Sequence, residues 1–385
     1  HRMTSRENLS GLVDSVVPHA LKLRRLLHQH PEPSYEEHLT TALIIDELAE
    51  HGIVATGRHP RTGLSVEIGD HPLVAFRADI DALPIEEPAE NTPCSLNPGW
   101  MHACGHDAHA AIAFGICLAL SKMEQAPSIR VLFQPAEESY PGGAVEMVGE
   151  GLADGLTAIL AFHVDPALEA GLIGARVGPI TASADKFVIT LRGPGGHTAR
   201  PHRTVDLITA AARVVVDLPT VLRAGIDPRQ PLTLAFGAIH GGQTDNVIPT
   251  RVEMKGTVRT LDRELWDQLP GLMDKVLSTV VAMTDASYEL EYLQAIPPVI
   301  NDHRVVSKAT TGINRWLGEG TIKDTATSMG GEDFANYLDV VPGALLRLGA
   351  AKGAGDLHSS SFLLDEAAIG HGIKAGLAAL LELSG

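Results

Sequence analysis

The sequence has few of the features that mark nucleic-acid-binding or membrane proteins. It carries 30 Lys and Arg against 47 Asp and Glu, which gives a net charge of −17, and its basic residues form no cluster. Because phosphate binding needs basic patches, this balance argues against a nucleic-acid partner. No apolar run of about 18 residues is free of charge or proline, so we predict no membrane span.

Cysteine is also scarce. The three cysteines, Cys94, Cys104 and Cys117, are too few for a disulfide framework or for the paired cysteines of a zinc ribbon. No signal-like apolar segment opens the chain, and we interpret the two residues before Met3 as an expression remnant. Because a useful thiol at Cys104 suits a reducing compartment, we predict a cytoplasmic protein.

The 385 residues, 44% hydrophobic and 20% charged, suffice for two domains with full cores. Apolar periodicity and turn residues predict helices and strands along the whole chain. The predicted helices are 12–28, 36–50, 110–120, 205–223, 263–283, 305–317 and 365–383, with a further one starting at 330–334. The predicted strands are 63–69, 73–77, 128–134, 158–163, 186–192, 232–239, 251–260, 288–295 and 344–348.

The order of these elements divides the chain. Residues 184–297 follow the order β-α-β-β-α-β, that of a ferredoxin-like unit that can close on its own core. The flanking segments 1–183 and 298–385 alternate strands with helices, as in an α/β sheet. We therefore predict a two-domain α/β protein in which 184–297 is inserted into the domain formed by 1–183 and 298–385.

The densest group of metal-competent side chains lies in Trp100–His109, which holds one thiol, three imidazoles and one carboxylate. The apolar run that follows predicts that this group enters a buried helix. The free N–H groups and positive dipole end of a helix start lower the pKa of a thiol and favour the metal-binding thiolate. A lone Cys104-x-His106 is better explained as a small buried cysteine beside a histidine, but five such side chains favour a metal site.

Polar residues also follow three apolar strands. Asp79 and Asp81 follow the first, Glu137 and Glu138 the second, and His163 ends the third. Adjacent carboxylates repel each other, and a dication relieves this, with one carboxylate as ligand and the other as base. Each feature alone has an ordinary explanation as a turn cap, a solvated strand end or a structural histidine; the aspartates can also orient a ligand imidazole. Their repetition indicates a site at the carboxyl ends of the strands.

Two glycine-rich loops of the inserted segment, 193–197 and 241–249, carry His197 and Asn246. Such loops are often only tight turns. A histidine and an asparagine presented there can instead donate hydrogen bonds to a substrate oxygen. His358 is predicted on a loop beside the sheet edge.

With these residues the sequence resembles the M20 peptidase family, and within it the amidohydrolase branch (subfamily D). This branch includes hippurate hydrolases, N-acyl-amino-acid amidohydrolases and auxin-conjugate hydrolases. The similarity covers nearly the whole chain. It rests on seven motifs in this order: RADIDALP at 77–84, MHACGHD at 101–107, QPAEE at 134–138, GGH at 195–197, DNVIP at 245–249, GEDF at 331–334 and LH at 357–358.

The resemblance implies a two-metal site with Mn²⁺ or Zn²⁺. Carboxylate and imidazole ligands also accept Co²⁺ or Ni²⁺. Matched position by position, the resemblance makes Cys104 the bridge between the ions. Glu138 and His358 then belong to one ion, and His106 and His163 to the other. The resemblance further makes Glu137 the general base, and His197 and Asn246 the residues that bind substrate and stabilise the oxyanion.

The resemblance also implies a mixed-sheet, zinc-peptidase-like catalytic domain and an inserted domain that acts as a lid or in a homodimer. The predicted reaction is hydrolysis of a small-molecule N-acyl amino acid to a carboxylate and a free amino acid. A dipeptidase or aminopeptidase is the alternative within the family, although those branches have Asp where Cys104 stands. A non-catalytic binding protein is a third hypothesis, and loss of a ligand or of Glu137 would favour it; neither is lost.

Overall fold

A computed structural model describes residues 6–353 and 355–385. The chain forms two compact units: one from residues up to 178, 300–326 and 333–385, the other from 179–299 and 327–332. The segment 184–297, predicted to be an inserted domain, lies within the second unit. The two residues interpreted as an expression remnant lie outside the described residues.

The helices and strands predicted from periodicity are found, with ends that differ by a few residues. The helices are α1 Arg6–Gln29, α2 His38–Glu50, α3 His106–Lys122, α4 Gly143–Gly149, α5 Leu207–Ala224, α6 Arg263–Val281, α7 His303–Leu317 and α8 Ala367–Leu383. The strands are β1 Ala55–Gly57, β2 Leu64–Ile68, β3 Val74–Asp79, β4 Ile129–Gln134, β5 Ala158–Asp165, β6 Ile173–Ala175, β7 Gly178–Thr181, β8 Ala184–Arg192, β9 Gly196–His197, β10 Leu232–Gly241, β11 Val247–Ile248, β12 Arg251–Thr260, β13 Ser287–Ile296, β14 Val299–Asn301, β15 Ile322–Asp324 and β16 Gly343–Gly349. The helix predicted to start at 330–334 is a 3₁₀ helix, Asp333–Asp339.

The first unit is built on a mixed eight-stranded sheet in the order β1-β2-β4-β3-β5-β16-β6-β15. Its centre is parallel: β3 pairs with β4 and β5, and β5 pairs with β16. These strands are apolar along most of their length because both faces are covered. The predicted α/β class and mixed sheet are thereby confirmed.

The arrangement of the central strands brings polar residues to one edge of this sheet. Since β3, β4 and β5 run parallel, their carboxyl ends lie at the same edge. Asp79 ends β3, Gln134 ends β4 just before Glu137, and His163 lies two residues before the end of β5. Helix α3, whose residues 106–120 are all buried, begins with His106 and packs against α1 and α8.

The second unit contains a four-stranded antiparallel sheet in the order β10-β12-β8-β13. Helices α5 and α6 each follow one of its strands, and both have an apolar face at helical spacing. The buried side chains of α5 and α6 join those of the sheet in one core. Among the described residues, no helix has both the length and the apolar character needed to span a membrane.

Candidate metal centre

The chain turns sharply where α3 begins. Gly105 is the N-cap residue of α3 and has a φ of +79°, in the left-handed region that L side chains rarely adopt. A Cβ atom on this residue would lie 2.3 Å from Cγ2 of Val164, which follows His163 in β5. The turn therefore needs glycine for both its backbone conformation and its close approach to β5. It separates Cys104 from His106, both of which are buried.

Replacing Gly105 by alanine should lower the free energy of unfolding by about 2–4 kcal/mol, from the left-handed backbone and the overlap with Val164. The matched control is Gly11→Ala. A Cβ at Gly11, inside α1, meets no atom within 4 Å, so alanine there should raise stability by about 0.5–1 kcal/mol. Urea unfolding of the two variants and the parent protein measures both changes. Equal effects of the two substitutions would contradict this account of the turn.

Two groups of three potential ligands share the thiol of Cys104. One contains His106 and His163, the other Glu138 and His358, and within each group the ligand atoms lie within 4.8 Å of one another. The sulfur of Cys104 is 3.5 Å from Nε2 of His163 and 3.2 Å from Nε2 of His358. The structure thus brings together the five side chains that the resemblance makes metal ligands, in the two predicted sets.

Two of the histidine rings are oriented by hydrogen bonds on the side away from the cluster. Nδ1 of His106 is 3.0 Å from Oδ1 of Asp81, and Nδ1 of His163 donates to the carbonyl of Val164. Each ring therefore leaves Nε2 for the cluster, an arrangement that fixes the tautomer of a metal ligand. Asp81 orients an imidazole, as one interpretation of the sequence predicts.

The chemistry of the donor set fits a cation. Nε2 of His106 is buried without a hydrogen-bond partner. Carboxylate oxygens of Asp79, Glu138 and Glu137 lie 3.4, 3.6 and 3.9 Å from it. A buried polar atom without a partner is costly, and a divalent cation bound to this nitrogen would satisfy it and offset the negative charge of the nearby carboxylates.

The carboxylates also govern the protonation of the cluster. Although burial opposes the charged imidazolium, Asp79, Asp81 and Glu138 raise the pKa of His106 to about 10. Burial, together with the charges of Glu138 and Glu137, raises the pKa of the Cys104 thiol well above its ordinary value. The expectation that the helix start lowers this pKa is wrong, because desolvation and the charges of Glu138, Glu137 and Asp79 raise it. A bound cation would act in the opposite direction and favour the thiolate.

The turn after β4 presents the two adjacent glutamates. Glu137 and Glu138 join His106 in one further group of donor atoms, so both carboxylates approach the same cluster. The backbone N–H of Glu138 donates to Oδ2 of Asp81 over 2.8 Å. Glu137 is 9% exposed, so its carboxylate is largely screened from bulk water.

The other polar residues of the 100–109 segment do not belong to the two groups that share Cys104. The backbone N–H of Val164 donates to Nε2 of His109, whose Nδ1 is 2.5 Å from Oδ1 of Asp79. Both ring nitrogens of His109 therefore already have a hydrogen-bond partner. His109 nevertheless lies close enough to Asp79 and His106 to form a further group of potential ligands. Asp107 pairs with Arg24 of α1, and burial lowers the pKa of His102 to about 4. Of the five candidate side chains in this segment, only Cys104 and His106 belong to the groups that share the thiol of Cys104.

Three residues of the sequence motifs form a buried support. The guanidinium of Arg77 donates to Oδ1 of Asp333 over 2.8 Å and to Oε1 of Gln134 over 2.7 Å. Oδ2 of Asp333 accepts the backbone N–H of Ala144, in the first turn of α4, which follows the loop that carries the two glutamates. These three side chains thus connect the end of β4 to the start of α4, a role that the sequence alone does not reveal.

The remaining two predicted residues lie together in the second unit. His197 in β9 pairs with Val247 in β11, next to Asn246, and the N–H of Thr198 donates to the carbonyl of Asn246. Nδ1 of His197 accepts the backbone N–H of Ala199 over 3.0 Å. The proton of the neutral ring is therefore on Nε2, and the side chain is exposed.

A mixed sheet whose carboxyl edge carries a thiol, imidazoles and paired carboxylates within reach of one another is typical of a metallohydrolase. The chain belongs to peptidase family M20/M25/M40, whose sequence model matches residues 75–382. It is therefore a hydrolase that acts on amide bonds, and the predicted family is confirmed.

The chain is also similar in sequence to individual proteins over most of its length. The chain is 40% identical over 302 residues to an N-acyl-L-amino acid amidohydrolase of Geobacillus stearothermophilus, covering 77% of this chain and 82% of that protein. It is 38% identical over 370 residues to an N-acetyl-L-cysteine deacetylase of Bacillus subtilis, and the match covers 94% of this chain and 86% of that protein. It also matches a putative glutamate–cysteine ligase of Rhodococcus jostii at 42% identity over 365 residues, covering 94% of this chain but spanning only 46% of that protein.

A solved structure of a bacterial relative is similar to this chain in both fold and sequence. The YXEP protein of Bacillus subtilis, described as a dinuclear metal-binding peptidase of the M20 family, is 32% identical with a TM-score of 0.84. The match covers 96% of this chain and 99% of that one.

Proposed function

We propose that the protein is a metal-dependent amidohydrolase that cleaves N-acyl amino acids to a carboxylate and a free amino acid. The observation that carries the proposal is the position of Cys104 in two groups of metal-competent atoms, with Glu137 beside them. The names of the Geobacillus and Bacillus relatives, an N-acyl-amino-acid amidohydrolase and an N-acetyl-cysteine deacetylase, support this substrate class.

Five residues would hold two divalent ions, with Cys104 common to both. Glu138 and His358 would complete one set, and His106 and His163 the other. A pair of such ions polarises an amide carbonyl and activates water near neutral pH. The soft thiolate favours Zn²⁺, while imidazole and carboxylate also accept Mn²⁺, Co²⁺ or Ni²⁺.

Glu137 is the proposed general base and then general acid. Its carboxylate would take the proton of the attacking water and pass it to the leaving amine nitrogen as the amide bond breaks. Its low exposure and its distance of 3.9 Å from the ring of His106 support a place at the reacting atoms. Glu138 would remain a ligand, so the two neighbours would have separate roles.

His197 and Asn246 are the proposed substrate-binding and oxyanion-stabilising residues. Because Nδ1 of His197 accepts the N–H of Ala199, its Nε2 is a hydrogen-bond donor, as an oxyanion requires. The amide nitrogen of Asn246 is a second potential donor. We further propose that the second unit acts as a lid that completes the site, and that it takes part in a homodimer.

A dipeptidase or aminopeptidase activity is the alternative within the family. Cys104 favours the amidohydrolase, since the peptidase branches have Asp at this position. A thiolate ligand also suits a reducing compartment, so the cytoplasm is the proposed location.

Amine release from a substrate panel tests the substrate class. The panel contains N-acetyl, N-benzoyl and indole-acetyl amino acids, N-acetylcysteine among them, and unblocked dipeptides as the competing class. We expect Mn²⁺-loaded enzyme to release amino acid from the acylated substrates and to leave the dipeptides intact. Cleavage of dipeptides alone would instead assign the protein to the peptidase branch.

A further inference from the structure

The turn between α1 and α2, Ser34–Glu37, contacts the loop 135–142 that carries Glu137 and Glu138. Both segments belong to the first unit. The turn contributes two side chains to this loop, those of Tyr35 and Glu37, and a third, Ser34, to Asp81. The two segments are about a hundred residues apart in sequence, so their contact is a product of the fold.

The carboxylate of Glu37 is fully buried and accepts three hydrogen bonds. Its Oε1 accepts the backbone N–H of Ala136 over 2.7 Å and that of Tyr35 over 3.1 Å. Its Oε2 accepts the hydroxyl of Thr62 over 2.6 Å. All three partners are donors, so both oxygens of the carboxylate serve as acceptors.

Helix capping does not explain this carboxylate. Glu37 is the N-cap residue of α2, but its side chain makes no cap hydrogen bond. The carboxylate of Glu32 does this instead, since it accepts the N–H groups of Leu39 and Thr40. The side chain of Glu37 therefore reaches away from its own helix to the backbone of Ala136.

Ala136 has the strained backbone conformation in this loop. Its φ of +53° is in the left-handed region, which costs a non-glycine residue about 1–2 kcal/mol. This conformation lies directly before Glu137 and sets the direction of the chain there. Two backbone amides of the loop donate to carboxylates: that of Ala136 to Glu37, and that of Glu138 to Asp81.

The Ser34–Glu37 turn also contacts the carboxyl-terminal end of the loop, at Gly142. The phenol oxygen of Tyr35 accepts the backbone N–H of Gly142 over 2.7 Å. The hydroxyl of Ser34 donates to Oδ2 of Asp81, the oxygen that accepts the N–H of Glu138. The turn thus holds the loop on both sides of the two glutamates.

We propose that Glu37 is a positioning residue that, with Tyr35, fixes the left-handed turn at Ala136 and thereby places Glu137 and Glu138. The hydrogen bonds of Glu37 go to backbone N–H groups and to Thr62 rather than to a proposed metal ligand, so it would act through the backbone. The inference rests on the proposed function for its kinetic consequences, whereas its consequence for metal binding at Glu138 stands independently.

The test compares Glu37→Leu, which removes the acceptor, with Glu37→Gln, which keeps an oxygen for Ala136 while Thr62 can accept from the new amide. Glu36→Leu is the matched control, since Glu36 is exposed. We expect Glu37→Leu to lower kcat and metal affinity by about 10–100-fold, with KM within about threefold, since loss of outer-shell partners has this effect. Glu37→Gln and Glu36→Leu should stay close to the parent protein.

Metal affinity is measured by chelator competition and kcat at saturating metal, both well below the unfolding temperature of each variant. A Glu37→Leu protein with parental kcat and metal affinity but a lower Tm would overturn the proposal, since Glu37 would then only stabilise the fold. If Glu37→Leu does not fold, Tyr35→Phe decides by the same readouts, with an expected loss of about 3–10-fold and the same overturning result. If the parent protein cleaves no N-acyl amino acid, the proposed function fails, and chelator competition alone decides on the positioning role.

Discussion

Replacing Glu137 by glutamine should lower kcat by about a thousandfold or more while the metal content stays unchanged. The amide of glutamine has nearly the same shape as the carboxylate but cannot take up a proton from water. Its neighbours in the cluster, His106 and Glu138, are untouched, so the metal ligands remain. Steady-state amine release and metal analysis of the same preparation measure the two effects.

Glu138→Gln is the matched comparison, because it makes the same change one residue along the chain. We expect this variant to lose metal affinity, since Glu138 belongs to a donor group with Cys104 and His358. Near-parental kcat in Glu137→Gln would refute Glu137 as the base. Equal metal loss in both variants would show that the two carboxylates do not have separate roles.

Replacing Cys104 by serine should weaken the binding of both metal ions. The thiol is common to the two donor groups, whereas His358 belongs to one of them and His163 to the other. Loss of a direct ligand should lower metal affinity by more than the roughly 10–100-fold that follows the loss of a residue hydrogen-bonded to a ligand. We therefore expect Cys104→Ser to lose both ions on dialysis, and His358→Ala or His163→Ala to lose one.

Metal content per chain after dialysis, from elemental analysis, distinguishes these outcomes. Cys94→Ser is the control, because Cys94 is a half-buried free thiol that belongs to neither group. Loss of a single ion from Cys104→Ser would contradict a shared thiol. Retention of both ions would remove Cys104 from the site altogether.

The local pattern predicts which polar residues the fold brings to one edge of the sheet. Apolar strands that end in polar residues predict a sheet whose carboxyl edge carries Asp79, Glu137 and His163, and the structure has this edge. The short elements, such as β1 and α4, were not predicted, because three to seven residues are too few for a periodic pattern.

The assignment of individual partners was beyond the sequence. Within 100–109, nothing local distinguishes His106, which faces the cluster, from His109, which bonds to Asp79 and to the backbone of Val164. The pKa of Cys104 was predicted in the wrong direction, because the helix start is visible in the sequence and the surrounding carboxylates are not. No sequence pattern indicates the role of Glu37, because its partner is the backbone amide of Ala136, 99 residues away along the chain.

Metal titration of the chelated protein tests the central claim, an amidohydrolase built around a thiol shared by two metal sites, most directly. Amine release from an N-acyl amino acid is followed as Mn²⁺ or Zn²⁺ is added back stepwise. We expect no release from the chelated protein and full activity at two equivalents of metal per chain. Activity that survives chelation, or a plateau reached at one equivalent, would contradict the two-metal account.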